Sequence, residues 1–229
     1  MYKGNIVIGC DYRGLKASSI IKDYLIKKGY KDFFAETGVS ERICQKISDH
    51  QLTYQEISNA VLGCDPKTKF CGSNVPSGIE MLRSFAKMAD VNLDSRLLGE
   101  NLFFDFGCYN PSSDDEMDAI DVAKVVTCFA NQYKGGIPSI LSCKTGEVMV
   151  NTAAKLSDHY ATLALRLDSA QMGRVHNDSH TLVFPGDGTF YRGKGMVKFI
   201  ERSIDDFLTH ERQRTKTRDR RLKKRAMLN

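Results

Sequence analysis

The chain opens with a β-branched run, Asn5 to Gly9, bounded by glycine, which predicts a strand buried on both faces. Residues 15–29 then set Leu15, Ile20, Ile21, Tyr24 and Leu25 among lysines, the period of an amphipathic helix closed by Gly29. The next stretch, 31–100, is more polar and less periodic. It predicts helices around Tyr54–Leu62 and Ile79–Met88, joined by the loop CDPKTKFCGSNVPSG. NLFFDFG (101–107) predicts a strand whose Phe103, Phe104 and Phe106 are core residues, and PSSDDEM is an acidic helix start. A helical period covers 118–130, and GGIPSILS (135–142) is a buried strand ending at Cys143. Helices follow near Val148–Ala154, over 169–175 and from Met196 to Leu208, with strands at 161–167 and 180–186. Strands alternating with helices at this spacing predict an α/β fold on a parallel sheet.

Charge divides the chain sharply. From His210 to Asn229 there are nine Lys/Arg and two acids, a net +7, so the overall +5 leaves −2 on the first 209 residues. The expectation is one α/β domain over 1–209, with 31–100 as an insertion, and a basic tail over 210–229. Such a tail suits an anionic partner, nucleic acid included, or arginines aimed at one phosphate. There is no run of eighteen apolar residues and no secretory signal pattern. Seven cysteines without paired spacing read as free thiols in a reducing compartment, hence a cytoplasmic protein, and no ligand spacing calls for a metal.

Two loops carry candidate chemistry. In SILSCKTGEVM a strand ends on Cys143, and a loop containing Gly146 leads into a helix start. Backbone N–H groups there favour an anion and lower a neighbouring thiol's pKa, which suits Cys143 to a proton-transferring base and Thr145 to an oxyanion donor. In GCDYRG the first strand runs into Asp11, Tyr12 and Arg13, the rim where open parallel sheets hold ligands, or simply a helix start capped by Asp11. FCGSNVPSG offers Cys71 as a competing thiol, but PKTKF before it is a poor buried strand. His50, His159 and His210 lie in polar stretches and are expected to be solvated, and His180 to flank a strand. No GxGxxG follows the first strand, which argues against a dinucleotide site.

The order and spacing of GCDYRG, Asp105-Phe-Gly, Cys143-Lys-Thr-Gly, Thr152-Ala-Ala-Lys and His176-Asn-Asp resemble the B-type ribose-5-phosphate isomerases and the related galactose-6-phosphate isomerases. The resemblance spans about 1–30 and 101–225. It implies a Rossmann-like α/β/α sandwich that dimerises with shared active sites. It also implies interconversion of aldose and ketose phosphates through an enediolate, with no cofactor and no metal. On that template Cys143 is the base, Thr145 helps hold the oxyanion and Gly146 shapes the loop. Asp11 grips sugar hydroxyls, Asn177 contacts substrate, and tail arginines of the second subunit bind phosphate. Arg214 with Arg218, or Arg221 with Arg225, stand one helical turn apart and satisfy that last role in two alternative registers.

The chain departs from the template at four places. Tyr12 replaces a histidine and Arg13 a small residue, Lys144 replaces the first loop glycine, and Leu167 before Asp168 replaces the ring-opening histidine. Glu147 adds a carboxylate to the loop. These changes put ordinary ribose-5-phosphate turnover in question and support a second hypothesis, an inactive member that binds RNA or another polyanion through the tail.

Overall fold

A sheet of six parallel strands organises the molecule, in the order β2-β3-β1-β4-β6-β5. The computed structural model describes residues 2–63, 75–93, 98–107, 118–133, 136–156, 160–186, 192–211 and 215–226. The strands are β1 (Ile6–Cys10), β2 (Lys31–Asp32), β3 (Leu102–Asp105), β4 (Ser139–Cys143), β5 (Tyr160–Leu163) and β6 (Ser179–Pro185). The helices are α1 (Leu15–Lys27), α2 (Phe33–Glu36), α3 (Val39–Ser48), α4 (Tyr54–Leu62), α5 (Gly78–Met88), α6 (Ala119–Gln132), α7 (Glu147–Leu156), α8 (Ser169–Asn177), α9 (Lys194–Thr209) and α10 (Lys216–Ala226).

The period-2 alternation of the strands sorts side chains between two helical layers. Ile6, Ile8, Phe103, Ile140 and Leu182 face α1, α8 and α9, while Val7, Phe104, Leu141 and Val183 face α2 through α7. The result is the three-layer α/β/α sandwich of a Rossmann-like fold. Phe103, Phe104 and Phe106 are fully buried, and the Phe104 ring lies 5.1–5.3 Å from Phe33, Phe129 and Tyr133.

Residues 31–100 are built into this frame. They supply the edge strand β2 and the helices that bury Phe33, Ile43, Ile57, Val61 and Phe85 against the sheet. The predicted helices at 54–62 and 79–88 are present as α4 and α5. Each opens on a capping box, Thr53 with Glu56 and Ser77 with Glu80, which satisfies N–H groups that no helical carbonyl can reach. Sequence periodicity missed β2 and α2, because two strand residues and four helical ones are too few to show a period. It also missed α3, although Val39, Ile43 and Ile47 recur there at helical spacing. The expected strand over 161–167 is shorter, ending at Leu163, and its remainder turns into α8. PSSDDEM, Cys71 and His159 lie outside the described residues. His210 is a correction: it is half-buried, its ring bonded to the Asp206 carbonyl at 2.8 Å and to Gln171 at 3.1 Å. The last turn of α9 creates that niche, and local polarity does not reveal it.

At the carboxyl edge of β2 and β3 one cation serves two acids. The Lys22 ammonium donates to Asp105 at 2.8 Å, and Asp32, which caps α2 through Ala35 N–H, stands nearby. Burial first, and the charge of Asp105 second, push the Asp32 carboxyl up to about 6. The folded chain therefore holds this proton more tightly than the unfolded one, and stability falls as pH rises from about 4 through about 6. Asp32→Asn, which keeps the cap, is expected to exceed the parent by about 1–2 kcal/mol above pH 7. That gain should vanish by pH 4 in denaturant titrations.

Candidate active site

The connection leaving β1 runs toward β2, and that leaving β4 runs toward β5, at the opposite edge of the sheet. Neighbouring strands whose connections diverge leave a crevice at their carboxyl ends, where α/β sheets bind ligands. Asp11 and Cys143 emerge there side by side. Cys10 pairs with Ser142 across the two strands, and Asp11 N–H donates to the Ser142 carbonyl at 3.2 Å.

Asp11 is both a site residue and a cap. Its Oδ1 accepts from Gly14 N–H at 2.8 Å, starting a 3-10 turn, Tyr12–Gly14, that runs into α1. That turn presses on the ends of β4 and β6. The Ser142 hydroxyl donates to the Gly14 carbonyl at 3.1 Å, and a Cβ on Gly14 would fall far inside contact with the Ser142 backbone. Gly186 N–H donates to the carbonyls of Cys143 (2.6 Å) and Lys144 (3.2 Å), and a Cβ there would strike the Arg13 carbonyl. Sequence reasoning missed Ser142 and Gly186; a glycine closing each of the strands β1 and β6 was the only available signal.

The Cys143 side chain is 3% exposed, and its Sγ accepts from Gly146 N–H at 3.2 Å. Gly146 has φ +81°, and a Cβ there would collide with Leu163, so the loop needs glycine on both counts. The expectation of an acidified thiol is corrected. Burial, then the negative charge of Asp11, raise the Cys143 pKa, and the N–H groups of Gly146, Met149 and Thr145 only partly oppose them. Burial also raises the Asp11 carboxyl, against the pull of the Gly14 and Arg13 N–H groups and the Arg13 guanidinium. Both shifts disfavour the charged form of each group.

Thr145, Lys144 and Glu147 are exposed at the start of α7, where Thr145 Oγ1 accepts from Glu147 N–H at 3.4 Å. Tyr12 is half-buried beneath Arg13, whose guanidinium sits 5.0 Å above its ring and whose Nε donates to its hydroxyl. Other candidates lie elsewhere. Asp168 is exposed beyond β5, two strands from β4, and accepts from Arg166 at 2.7 Å. Asn177 ends α8 at the amino edge of β6, whose other end, Pro185, pairs with Cys143, so about 20 Å of strand separates the two levels. Arg214 and the side chains of Arg218, Arg221 and Arg225 lie outside the described residues. The helix carrying the last three, α10, packs on α8. Among the described residues, no group of three or more His, Cys, Asp or Glu side chains is placed to hold a metal ion.

Two expected outcomes test this geometry. Gly14→Ala should destabilise the protein by about 1–3 kcal/mol, read from thermal or denaturant unfolding, because the Ser142 backbone cannot give way. Asp11→Asn should move the alkylation of Cys143, followed by peptide mass spectrometry, to lower pH by removing the neighbouring negative charge.

Solved structures share this architecture. Ribose-5-phosphate isomerase B from Clostridium thermocellum superposes with a TM-score of 0.56 at 17% identity, covering 98% of this chain and 96% of that one. The Thermotoga maritima ribose 5-phosphate isomerase gives 0.55 at 20% identity over 96% of both chains. The type B enzyme of Trypanosoma brucei gives 0.55 at 16% identity over 99% of both. No curated protein sequence matches the chain. Residues 93–224, more than half of the 229, match the profile described as Ribose/Galactose Isomerase, a span that takes in Cys143, His176-Asn177-Asp178 and α10 up to residue 224 but not the first βα unit. With the crevice formed by β1 and β4 and a profile match of that extent, the chain belongs to the ribose/galactose isomerase family.

Proposed function

We propose that the protein interconverts an aldose phosphate and the corresponding ketose phosphate through an enediolate, with Cys143 as the base. The single observation that carries this reading is the emergence of Asp11 and Cys143 together at the crevice between β1 and β4. In the proposed step the Cys143 thiolate removes the proton on the carbon next to the carbonyl. The C–H electron pair forms the carbon–carbon double bond, and the carbonyl pair moves onto oxygen. The Cys143 thiol then returns the proton to the neighbouring carbon using the double-bond pair, while the remaining hydroxyl of the enediolate passes its proton to the first oxygen and becomes the new carbonyl, so no redox partner is consumed. Thr145 and the loop N–H groups around Gly146 hold the oxyanion, and Asp11 accepts a hydrogen bond from a sugar hydroxyl.

A second subunit completes the site in this proposal. Asn177 stands at the far edge of its own sheet and α10 packs on α8, which supports a role for both at another chain's crevice. Ile120 and Val148, on the first turns of α6 and α7 beside the crevice, are 38% and 45% exposed and offer an apolar margin for that subunit. Arginines of α10 then bind the phosphate. Residues 1–209 form the catalytic unit, 31–100 are an elaboration of the family frame, and 210–229 are a basic tail. No helix of the described residues is long and apolar enough to cross a membrane, and the free thiols of Cys10, Cys44, Cys128 and Cys143 suit a reducing cytoplasm. The +7 tail supports a second reading, polyanion binding by a chain without turnover.

Purified protein incubated with ribose 5-phosphate and with allose and galactose 6-phosphates is expected to produce ketose from at least one. Cys143→Ala should lower that rate by about 10²–10⁴. Absence of ketose from all of them, or a Cys143→Ala rate equal to the parent's, rejects the isomerase reading; salt-sensitive RNA binding lost on removing 210–229 then establishes the second.

A further inference from the structure

Two cations of one chain flank the crevice, and neither belongs to the machinery just described. Arg13 and Lys144 leave the backbone at a common point. The Arg13 carbonyl lies against Gly186, and the Lys144 carbonyl accepts Gly186 N–H at 3.2 Å. The strand pairing beneath them is the Cys10–Ser142 pair, so each cation is rooted within two residues of Asp11 or Cys143. Both side chains are exposed. The Arg13 guanidinium lies 5.0 Å from the centre of the Tyr12 ring and its Nε donates to the Tyr12 hydroxyl, contacts that hold it at the rim. Among the described residues no carboxylate pairs with the Lys144 ammonium. Among the described residues, Asp11 is bonded to Gly14 N–H, Asp118, the cap of α6, to Ile120 N–H, and Glu147 stands on the first turn of α7.

We propose that Arg13 and Lys144 form an electrostatic clamp, within one subunit, for negative charge at the reacting end of the ligand. The inference rests on the enediolate reading of the same crevice and adds what that reading lacks. The carboxyl of Asp11 disfavours negative charge on the Cys143 sulfur before proton transfer and on the oxyanion that replaces it afterwards. Positive charge brought to the rim stabilises first the thiolate and then that oxyanion. Tyr12 is then a positioning residue for Arg13.

The clamp discriminates by charge at the first carbon, so 5-phosphoribonate, with a carboxylate where ribose 5-phosphate has its aldehyde, is the probe. Calorimetric titration of the full chain is expected to give at least about tenfold tighter binding of the phosphoribonate than of ribose 5-phosphate, the yield of one charge-assisted contact. In the Arg13→Ala/Lys144→Ala double variant the ratio should fall toward one. Arg13→Lys should lie between, and Tyr12→Phe should lower the ratio less than Arg13→Ala does. A parent ratio near one, or a ratio unchanged in the double variant, overturns the clamp even if ketose is formed from ribose 5-phosphate. A ratio that depends on Arg13 and Lys144 without ketose formation keeps the clamp and removes the isomerase.

Discussion

The contact on which the rest depends is the one between the Tyr12–Gly14 turn and the ends of β4 and β6. Three backbone segments meet there with no side chain between them. Gly14 lies on Ser142 and Gly186 lies on Arg13, and the space for either Cβ is already filled. Hydrogen bonds then lock the junction, Asp11 N–H to Ser142, Ser142 hydroxyl to Gly14 and Gly186 N–H to Cys143. A loop held this closely cannot drift relative to the neighbouring strand. The acid of one strand and the thiol of the next are therefore held in a fixed relation without touching each other's backbone.

That proximity has an electrostatic cost which shapes the chemistry. Burial drives Asp11 and Cys143 toward their neutral forms, and each negative charge would burden the other. The helix start at α7 offers N–H groups to the sulfur, yet their pull is smaller than the combined push of desolvation and the carboxylate. In the proposed mechanism a base at this position draws on positive charge from outside the pair, and Arg13 and Lys144 carry such charge at the same rim.

How much was legible depended on whether a signal was local. The buried strands β1, β3, β4 and β6 announce themselves by short apolar runs, and α1, α6 and α9 by their period. β2 and α2 hold two and four residues, too short for any period, and exist because neighbours bury Phe33 and Phe34. In the site, Asp11 and Cys143 were readable because each follows a strand, and position after a strand is a sequence property. The roles of Ser142 and Gly186 depend on which strands adjoin, and strand order is not written locally. Asn177 carries the opposite lesson: a motif match named the residue, while the single chain sets it at the far edge of the sheet.

The strand order also has a consequence for how the chain comes to exist. β1 is made first and lies near the middle of the sheet, but its partners arrive late: Ile6 waits for Phe103 on one side and Val7 for Ser139 on the other. Until Phe103 has been synthesised, an apolar strand has both hydrogen-bonding edges open, and until Ser139 follows, one of them stays open. The pairing of β1 with β4 that brings Asp11 beside Cys143 thus waits on a segment far along the chain, and the nascent chain passes through a long interval in which a strand destined for full burial stays exposed.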